Sequence, residues 1–116
     1  MSEIVYFFYI VQSAGGRVGF GIATDIKDRN KHYASHAGDI VKFPFIYGGI
    51  RQKCKAIEKM VKREYADNIW IIDAWKTEWL NLGISADDLK YYVDQLINER
   101  HLGLELVKTD YDFTQE

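Results

Sequence analysis

The sequence predicts an α/β domain, in the α+β sense, with a small, largely antiparallel central sheet flanked by about three helices. Two apolar runs near the amino terminus surround a glycine-rich turn, which is typical of a β-hairpin. Farther along the chain, apolar residues recur at the spacing of an amphipathic helix. A chain of 116 residues is long enough for one domain with its own core.

The first two elements form the predicted hairpin. Residues 4–11 are rich in β-branched and aromatic side chains, so we expect a strand that is buried on both faces. Residues 13–16 supply the loop, and residues 17–22 the returning strand. Gly19 and Gly21 inside that strand indicate the close approach of another group.

The next segment predicts a helix followed by a strand. Thr24 is the expected N-cap, and the helix extends to about residue 35. Residues 40–50 read as a strand, in which Pro44 predicts an edge position or a bulge. A second helix is expected over residues 53–66, with an apolar stripe that contains Cys54, Ile57 and Val61.

The third helix has the clearest start. Ser85 is its expected N-cap, and Asp88 stands three residues on, as in a capping box. A last strand is expected over residues 104–107. We predict one domain over residues 1–108 and an acidic, flexible tail over residues 109–116, while the aromatic segment 68–79 fits no element clearly.

Composition limits the classes of function. Cys54 is the only cysteine, so an intrachain disulfide is impossible and a cytoplasmic location is expected. No signal peptide is evident, and residues 4–11 are too short to span a membrane. Residues 1–65 carry a formal charge of +5 and residues 66–116 carry −7, so the first half suits a polyanion better than the second.

Arg29 is the first candidate site residue, because a guanidinium offers a planar fork of donors to a phosphate. Lys27, Lys31, His32 and His36 lie close to it in sequence. The ordinary alternative is a solvated helix face. His32 and His36 have the spacing of a zinc pair but lack further ligands, whereas a histidine as general base remains open.

Glu58 shares a helix face with Cys54 and Val61, where a carboxylate needs a partner. It could pair with Lys62 or Lys55, or it could bind Mg²⁺ together with substrate phosphates and water. Basic residues surround it along the second helix, and either solvation or phosphate contact explains them. They are Arg51, Lys53, Lys55, Lys59, Lys62 and Arg63.

The order of these residues resembles that of the GIY-YIG nuclease superfamily. Its GIY and YIG motifs fall on Tyr6-Phe7-Phe8 and Gly19-Phe20-Gly21. Arg29 follows Gly21 by eight residues, as the family's arginine does. Tyr33, four residues later on the same helix face, takes the His/Tyr position, and a half-buried aromatic residue under the sheet is its ordinary alternative. Glu58 takes the position of the metal-binding glutamate on a later helix.

The later part of the chain adds to this resemblance, which covers most of residues 4–100. Ala66-Asp67-Asn68 loosely resembles the step that carries the family's late asparagine. Thr77-Glu78-Trp79-Leu80 looks like the Glu-Trp-Phe motif of a divergent branch common in phages and prophages. The two tyrosines that name the family are replaced, by Phe8 and Gly19, so Tyr6, Tyr33 or His32 would have to handle the proton.

The resemblance implies a small endonuclease that hydrolyses phosphodiester bonds of DNA with Mg²⁺ or Mn²⁺ on Glu58. Nucleic-acid contacts would come from Lys27, Lys31, His36, Lys55, Lys59 and Lys62. The alternative is a catalytically impaired module that binds nucleic acid or a protein partner, such as a phage accessory protein. Either would act in a bacterial or phage-infected host cytoplasm, away from membranes, and the oligomeric state stays open.

Overall fold

The computed structural model describes residues 5–33, 41–72 and 75–111. This part of the chain contains six strands and three α-helices. The strands are Tyr6–Ser13 (β1), Val18–Ala23 (β2), Val41–Gly49 (β3), Ile69–Ile72 (β4), Trp75–Leu80 (β5) and Glu105–Tyr111 (β6). The helices are Ile26–His32 (α1), Arg51–Glu64 (α2) and Ala86–Glu99 (α3).

The strands form one sheet in the order β4-β5-β2-β1-β3-β6, and every described pairing is antiparallel. The predicted fold class, a small antiparallel sheet with about three helices, is therefore confirmed. The predicted hairpin is also present, since the Gly16 N–H donates to the Ser13 carbonyl at 3.0 Å. Gly16 has a φ of 91°, which explains the need for glycine in this turn.

The central strand β1 is buried on both faces, as predicted, and two separate cores result. Phe8 and Ile10 belong to a core that also contains residues of α2 and α3. Tyr9 and Val11 belong to a second core on the opposite face, together with Tyr33. The helices α2 and α3 therefore cover one side of the sheet, and α1 lies on the other.

Pro44 lies at a bulge in β3, which is one of the two positions predicted for it, although β3 is an interior strand. Ile10 pairs with Phe45 and Gln12 pairs with Lys42, so Phe43 and Pro44 together face the single residue Val11. A bulge of this kind reverses which face the following side chains occupy. Phe43 accordingly packs in the core beside α1, whereas Phe45 packs against the core beside α2 and α3.

Two of the three helix starts follow local capping rules. Ser85 and Asp88 form the predicted capping box at the start of α3. At α1 the N-cap is Asp25 and not Thr24, because the Asp25 carboxylate accepts the Asp28 N–H at 3.2 Å. Both residue types cap well, so their identity alone could not decide between neighbouring positions.

The carboxy-terminal half departs from the prediction at two places. The unassigned aromatic segment contains β4 and most of β5, which pair with each other. Strand β6 runs to Tyr111 and pairs with β3, so it extends into the stretch that was predicted to be a tail. Residues 112–116, like the predicted end of the first helix near residue 35, lie outside the described residues. No helix in the described part of the chain is long and apolar enough to cross a membrane.

The helix α3 is joined to the sheet by a buried phenol. The Tyr47 hydroxyl donates to Asp94 at 2.6 Å, and Asp94 also pairs with Lys90. Burial and the adjacent carboxylate raise the pKa of Tyr47, so the phenol stays protonated and acts as a donor. On the same side of the sheet, Cys54 is fully buried in the core, and this burial raises the pKa of its thiol to about 11.

We predict that Tyr47→Phe lowers the free energy of unfolding by about 1–3 kcal/mol, because a hydrogen bond to a charged acceptor is lost. Chemical denaturation of both proteins measures the difference. Tyr91→Phe is the matched control, since Tyr91 is 69% exposed, and it should change stability by less than about 0.5 kcal/mol. Equal stability of Tyr47→Phe and wild type would show that the hydrogen bond to Asp94 does not stabilise the fold.

Candidate functional site

The Arg29 side chain lies beside the end of β2. Its Nη2 donates to the Ile22 carbonyl at 3.2 Å, and the side chain is half-buried. In the described strands, β5 pairs with β2 through Gly19 and Trp79, three residues away from Ile22. A neutral carbonyl thus holds the guanidinium, and no ion pair within the described residues neutralises it.

A cleft of about 270 Å³ opens beside this guanidinium. Asp25, Asp28, Arg29 and His32 line it, because these four positions share one face of α1. Ala23 and Thr24 complete the lining. The two carboxylates outnumber the guanidinium, so the cleft suits a phosphate accompanied by a cation better than a free anion.

Tyr33 lies in the core. Tyr9 and Tyr33 are each 2% exposed, and their hydroxyl oxygens are 3.2 Å apart at hydrogen-bonding distance. The Tyr33 ring also packs against Trp79, with the ring centroids 5.6 Å apart. The phenol is therefore hydrogen-bonded to Tyr9 inside the protein. Tyr33 packs the end of α1 against the sheet.

Gly21 makes this arrangement possible. Tyr9 and Gly21 face each other across β1 and β2, and the Tyr9 ring lies over the glycine. A Cβ added at Gly21 would stand 2.5 Å from the Tyr9 hydroxyl oxygen and 2.9 Å from Cζ. The sequence predicted that another group approaches this strand closely at its glycines. At Gly21 that group is the Tyr9 side chain.

Tyr6 and Glu58 lie on the other side of the sheet from Tyr33. Tyr6 packs against the core beside α2, and the Arg51 guanidinium carbon is 5.8 Å from its ring centroid. The side chain of Glu58 is 26% exposed, and its carboxylate lies 4.0 Å from the Lys62 ammonium. The predicted pairing with Lys62 is therefore present, at a distance that leaves the carboxylate accessible to another cation.

Glu58 and Arg29 lie on helices that pack on opposite sides of the sheet, and Glu58 does not line the cleft beside Arg29. Met60 and Arg63 lie on the flank of α2 that meets α3. At about 100° per residue, Glu58 points about 160° away from Met60. Because α3 contacts β1 and β3 while α2 also contacts β2, the Glu58 flank faces the β2 side of the sheet. Arg29 is held by the Ile22 carbonyl of that strand from the other side of the sheet.

The predicted nucleic-acid-binding residues are mostly on the surface. Lys27 and Lys31 are exposed on α1, and Lys55, Lys59 and Lys62 are exposed on α2. His36 lies outside the described residues. His32 is exposed, and its ring packs edge-on against Tyr33, with the centroids 6.4 Å apart. In the part of the chain described here, no group of three or more His, Cys, Asp or Glu side chains is arranged to hold a metal ion.

Two residues that line the cleft carried no strong sequence signal. Asp25 and Asp28 read as ordinary first-turn acids of a helix, yet they line the cleft. Tyr9 and Trp79 surround Tyr33. Tyr9 could have been recognised from a glycine that lies opposite an aromatic residue in a hairpin. Recognising this pattern requires the register of the two strands, which the sequence does not give.

Comparison with known proteins gave no match to any protein-family description, curated protein or solved structure.

We predict that Gly21→Ala destabilises the protein by about 1–3 kcal/mol, because the new methyl group overlaps the Tyr9 phenol. In a Tyr9→Phe background the same substitution should cost less, since the nearest atom has been removed. Gly15→Ala is the control, because its nearest neighbour would be the Ser13 hydroxyl at 3.8 Å. Thermal and denaturant unfolding would measure all four variants, and an equal cost in both backgrounds would refute the contact.

Proposed function

We propose that this chain is a GIY-YIG-like endonuclease that hydrolyses phosphodiester bonds of DNA with a divalent metal. The observation that carries the proposal is Arg29, a half-buried guanidinium held by a neutral carbonyl beside an open cleft. A strand hairpin, a helix with Arg29 and a later helix with Glu58 also follow one another in the order that the resemblance implies. We infer a cytoplasmic setting from the lone, buried cysteine.

In this proposal Arg29 binds the scissile phosphate. One of its donors is used on Ile22, which fixes the plane of the guanidinium, and the others remain for phosphate oxygens. Such a preorganised cation stabilises the charge that develops on the phosphate in the transition state. His32 is exposed in the same cleft and is the leading candidate to accept the proton of the attacking water.

Glu58 is the residue that would hold Mg²⁺ or Mn²⁺. The fit rests on its partly exposed carboxylate, because Mg²⁺ is commonly bound by one or two carboxylates together with substrate phosphates and water. When bound, the metal would neutralise charge on the phosphate. The Lys62 ammonium lies beside the carboxylate and would have to move away when the metal binds. Tyr6 lies on the same side of the sheet and is a second candidate for proton transfer.

The second candidate function is a module with the same surface that binds nucleic acid or a protein without cutting. Phe8, at the first motif tyrosine position, is fully buried in the core, and Gly19 has no side chain. The phenol of Tyr33 is engaged with Tyr9. These observations favour loss of catalysis, because fewer hydroxyl groups are available to activate water.

A cleavage assay on plasmid and linear DNA with Mg²⁺ or Mn²⁺ tests the proposal. We expect wild type to cut and Arg29→Ala to lower the rate by about 10²–10³-fold, the typical loss for one transition-state donor. Arg29→Lys should recover only part of the rate, because it keeps the charge and loses the planar fork. Glu58→Gln should raise the metal concentration required for cleavage.

Arg100→Ala and Glu99→Gln are matched controls, since both residues are exposed at the end of α3. Equal cleavage by wild type, Arg29→Ala and Glu58→Gln would overturn the assignment. If wild type cuts with neither metal but binds DNA, the non-cutting module is the correct function. Binding of a protein partner with an affinity that does not change with salt concentration would indicate the protein-binding form of that module.

A further inference from the structure

The sheet ends at β6, and the outer edge of this strand has no pairing partner in the described part of the chain. β6 stands last in the strand order, and its described pairing is with β3. Alternate N–H and C=O groups of an edge strand point away from its neighbour, so β6 can accept a further strand. It has seven residues and no proline, whereas the opposite edge strand, β4, has four residues.

An apolar patch borders this edge on the α1 side of the sheet. The side chains of Val5, Phe7 and Val107 converge over Gly48 of β3, and we call these three residues the edge patch. A Cβ built on the glycine would lie 3.3 Å from Cγ1 of Val107 and 3.7 Å from an atom of each of the other two. Phe7 packs against the core beside α1, which identifies the side of the sheet. Val5 is 53% exposed and Val107 is 49% exposed.

The described helices leave this edge uncovered. On the α1 side, seven helical residues extend about 10 Å, whereas six strands about 4.8 Å apart extend about 24 Å. On the other side of β6, Leu106 pairs with Tyr47 of the core beside α2 and α3, yet it is 41% exposed. The strand therefore presents apolar side chains on both faces as well as an open backbone edge, and exposed apolar patches of this kind mark interaction surfaces.

We propose that β6 pairs antiparallel with β6 of a second copy of this chain, about a two-fold axis at Val107. A two-fold axis relates antiparallel neighbours only when it stands perpendicular to the sheet, and one residue then lies opposite its own copy. Such an axis keeps the α1 sides of both copies on the same side of the joined sheet. The two edge patches therefore meet across the axis and bury each other's exposed valines.

The charges along β6 favour this register. With the axis at Val107, Glu105 lies opposite Thr109 of the second copy, and Leu106 lies opposite Lys108 of the second copy. Like charges do not oppose each other, whereas an axis at Lys108 would place two ammonium groups opposite each other. A surface that matches itself in this way suits a second copy. The inference uses no residue of the Arg29 cleft, so it is independent of the proposed function.

Disulfide trapping tests the register. Directly opposed residues of antiparallel strands have Cα atoms about 4.5–5.5 Å apart, within the range of a disulfide, so Val107→Cys should form a covalent dimer under mild oxidation. Leu106→Cys is the matched control, because its two copies would stand diagonally, about 7–8 Å apart, and should cross-link far less. Cys54 is fully buried and does not compete. Electrophoresis without reductant measures both, and equal cross-linking of the two variants would overturn the axis at Val107.

Sedimentation of the full chain over a range of concentrations tests the dimer itself. Wild type should reach twice the monomer mass. Val107→Glu and Val107→Lys should each raise the dissociation constant by about 100-fold or more, because two like charges then meet on the axis. An equal mixture of the two variants should restore the dimer, which a variant that merely misfolds would not do.

Leu82→Glu is the control, since Leu82 is an exposed apolar residue before α3 that lies outside the edge patch. It should dimerise as wild type does. A wild-type chain that stays monomeric up to its solubility limit would overturn the proposal. A dimer that Val107→Glu leaves intact, or a mixture of Val107→Glu and Val107→Lys that stays monomeric, would also overturn it. Cleavage of DNA by the wild type decides the proposed nuclease separately, because none of these outcomes depends on it.

Discussion

The contact between Tyr9 and Tyr33 determines where α1 lies on the sheet, and the position of Arg29 depends on it. A helix of seven residues is too short to be stable alone, so packing must hold it in place. Ile26 anchors its start and Tyr33 its end, both in the core beside Tyr9. This packing requires a glycine at position 21, because any side chain on Gly21 would occupy the space of the Tyr9 ring. Arg29 lies between the two anchors and can reach Ile22.

The bulge at Pro44 provides the second constraint. Without it, Phe43 and Phe45 would face the same side of β3, and one of the two cores would lose an aromatic residue. With it, Phe43 packs against Tyr9 and Tyr33, while Phe45 packs on the opposite face, where Lys90 approaches its ring. Both faces of a small sheet are covered as a result. Arg29 lies on one side of the sheet and Glu58 on the other.

Local patterns were sufficient to predict most elements, and long-range packing explains where they failed. The hairpin and α3 have strong local signals in Gly16, Ser85 and Asp88, and both were predicted correctly. The strand β6 was predicted too short, because residues 108–110 are polar or charged and only pairing with β3 makes them a strand. At the site, spacing placed Arg29 and Tyr33 on one face of α1. Spacing alone could not reveal that this face is split, with Arg29 at the cleft and Tyr33 in the core.

In the proposed nuclease Arg29 itself contacts phosphate, beyond the attraction that the other basic residues of the chain supply. Side-chain NMR of ¹⁵N-labelled arginines during titration with a short DNA duplex in EDTA tests it most directly. We predict that the guanidinium resonances of Arg29 shift and broaden as a phosphate joins the Ile22 carbonyl as an acceptor, while those of Arg100 stay unchanged. Saturation of the protein with DNA while the Arg29 resonances remain in place would show that Arg29 does not contact phosphate.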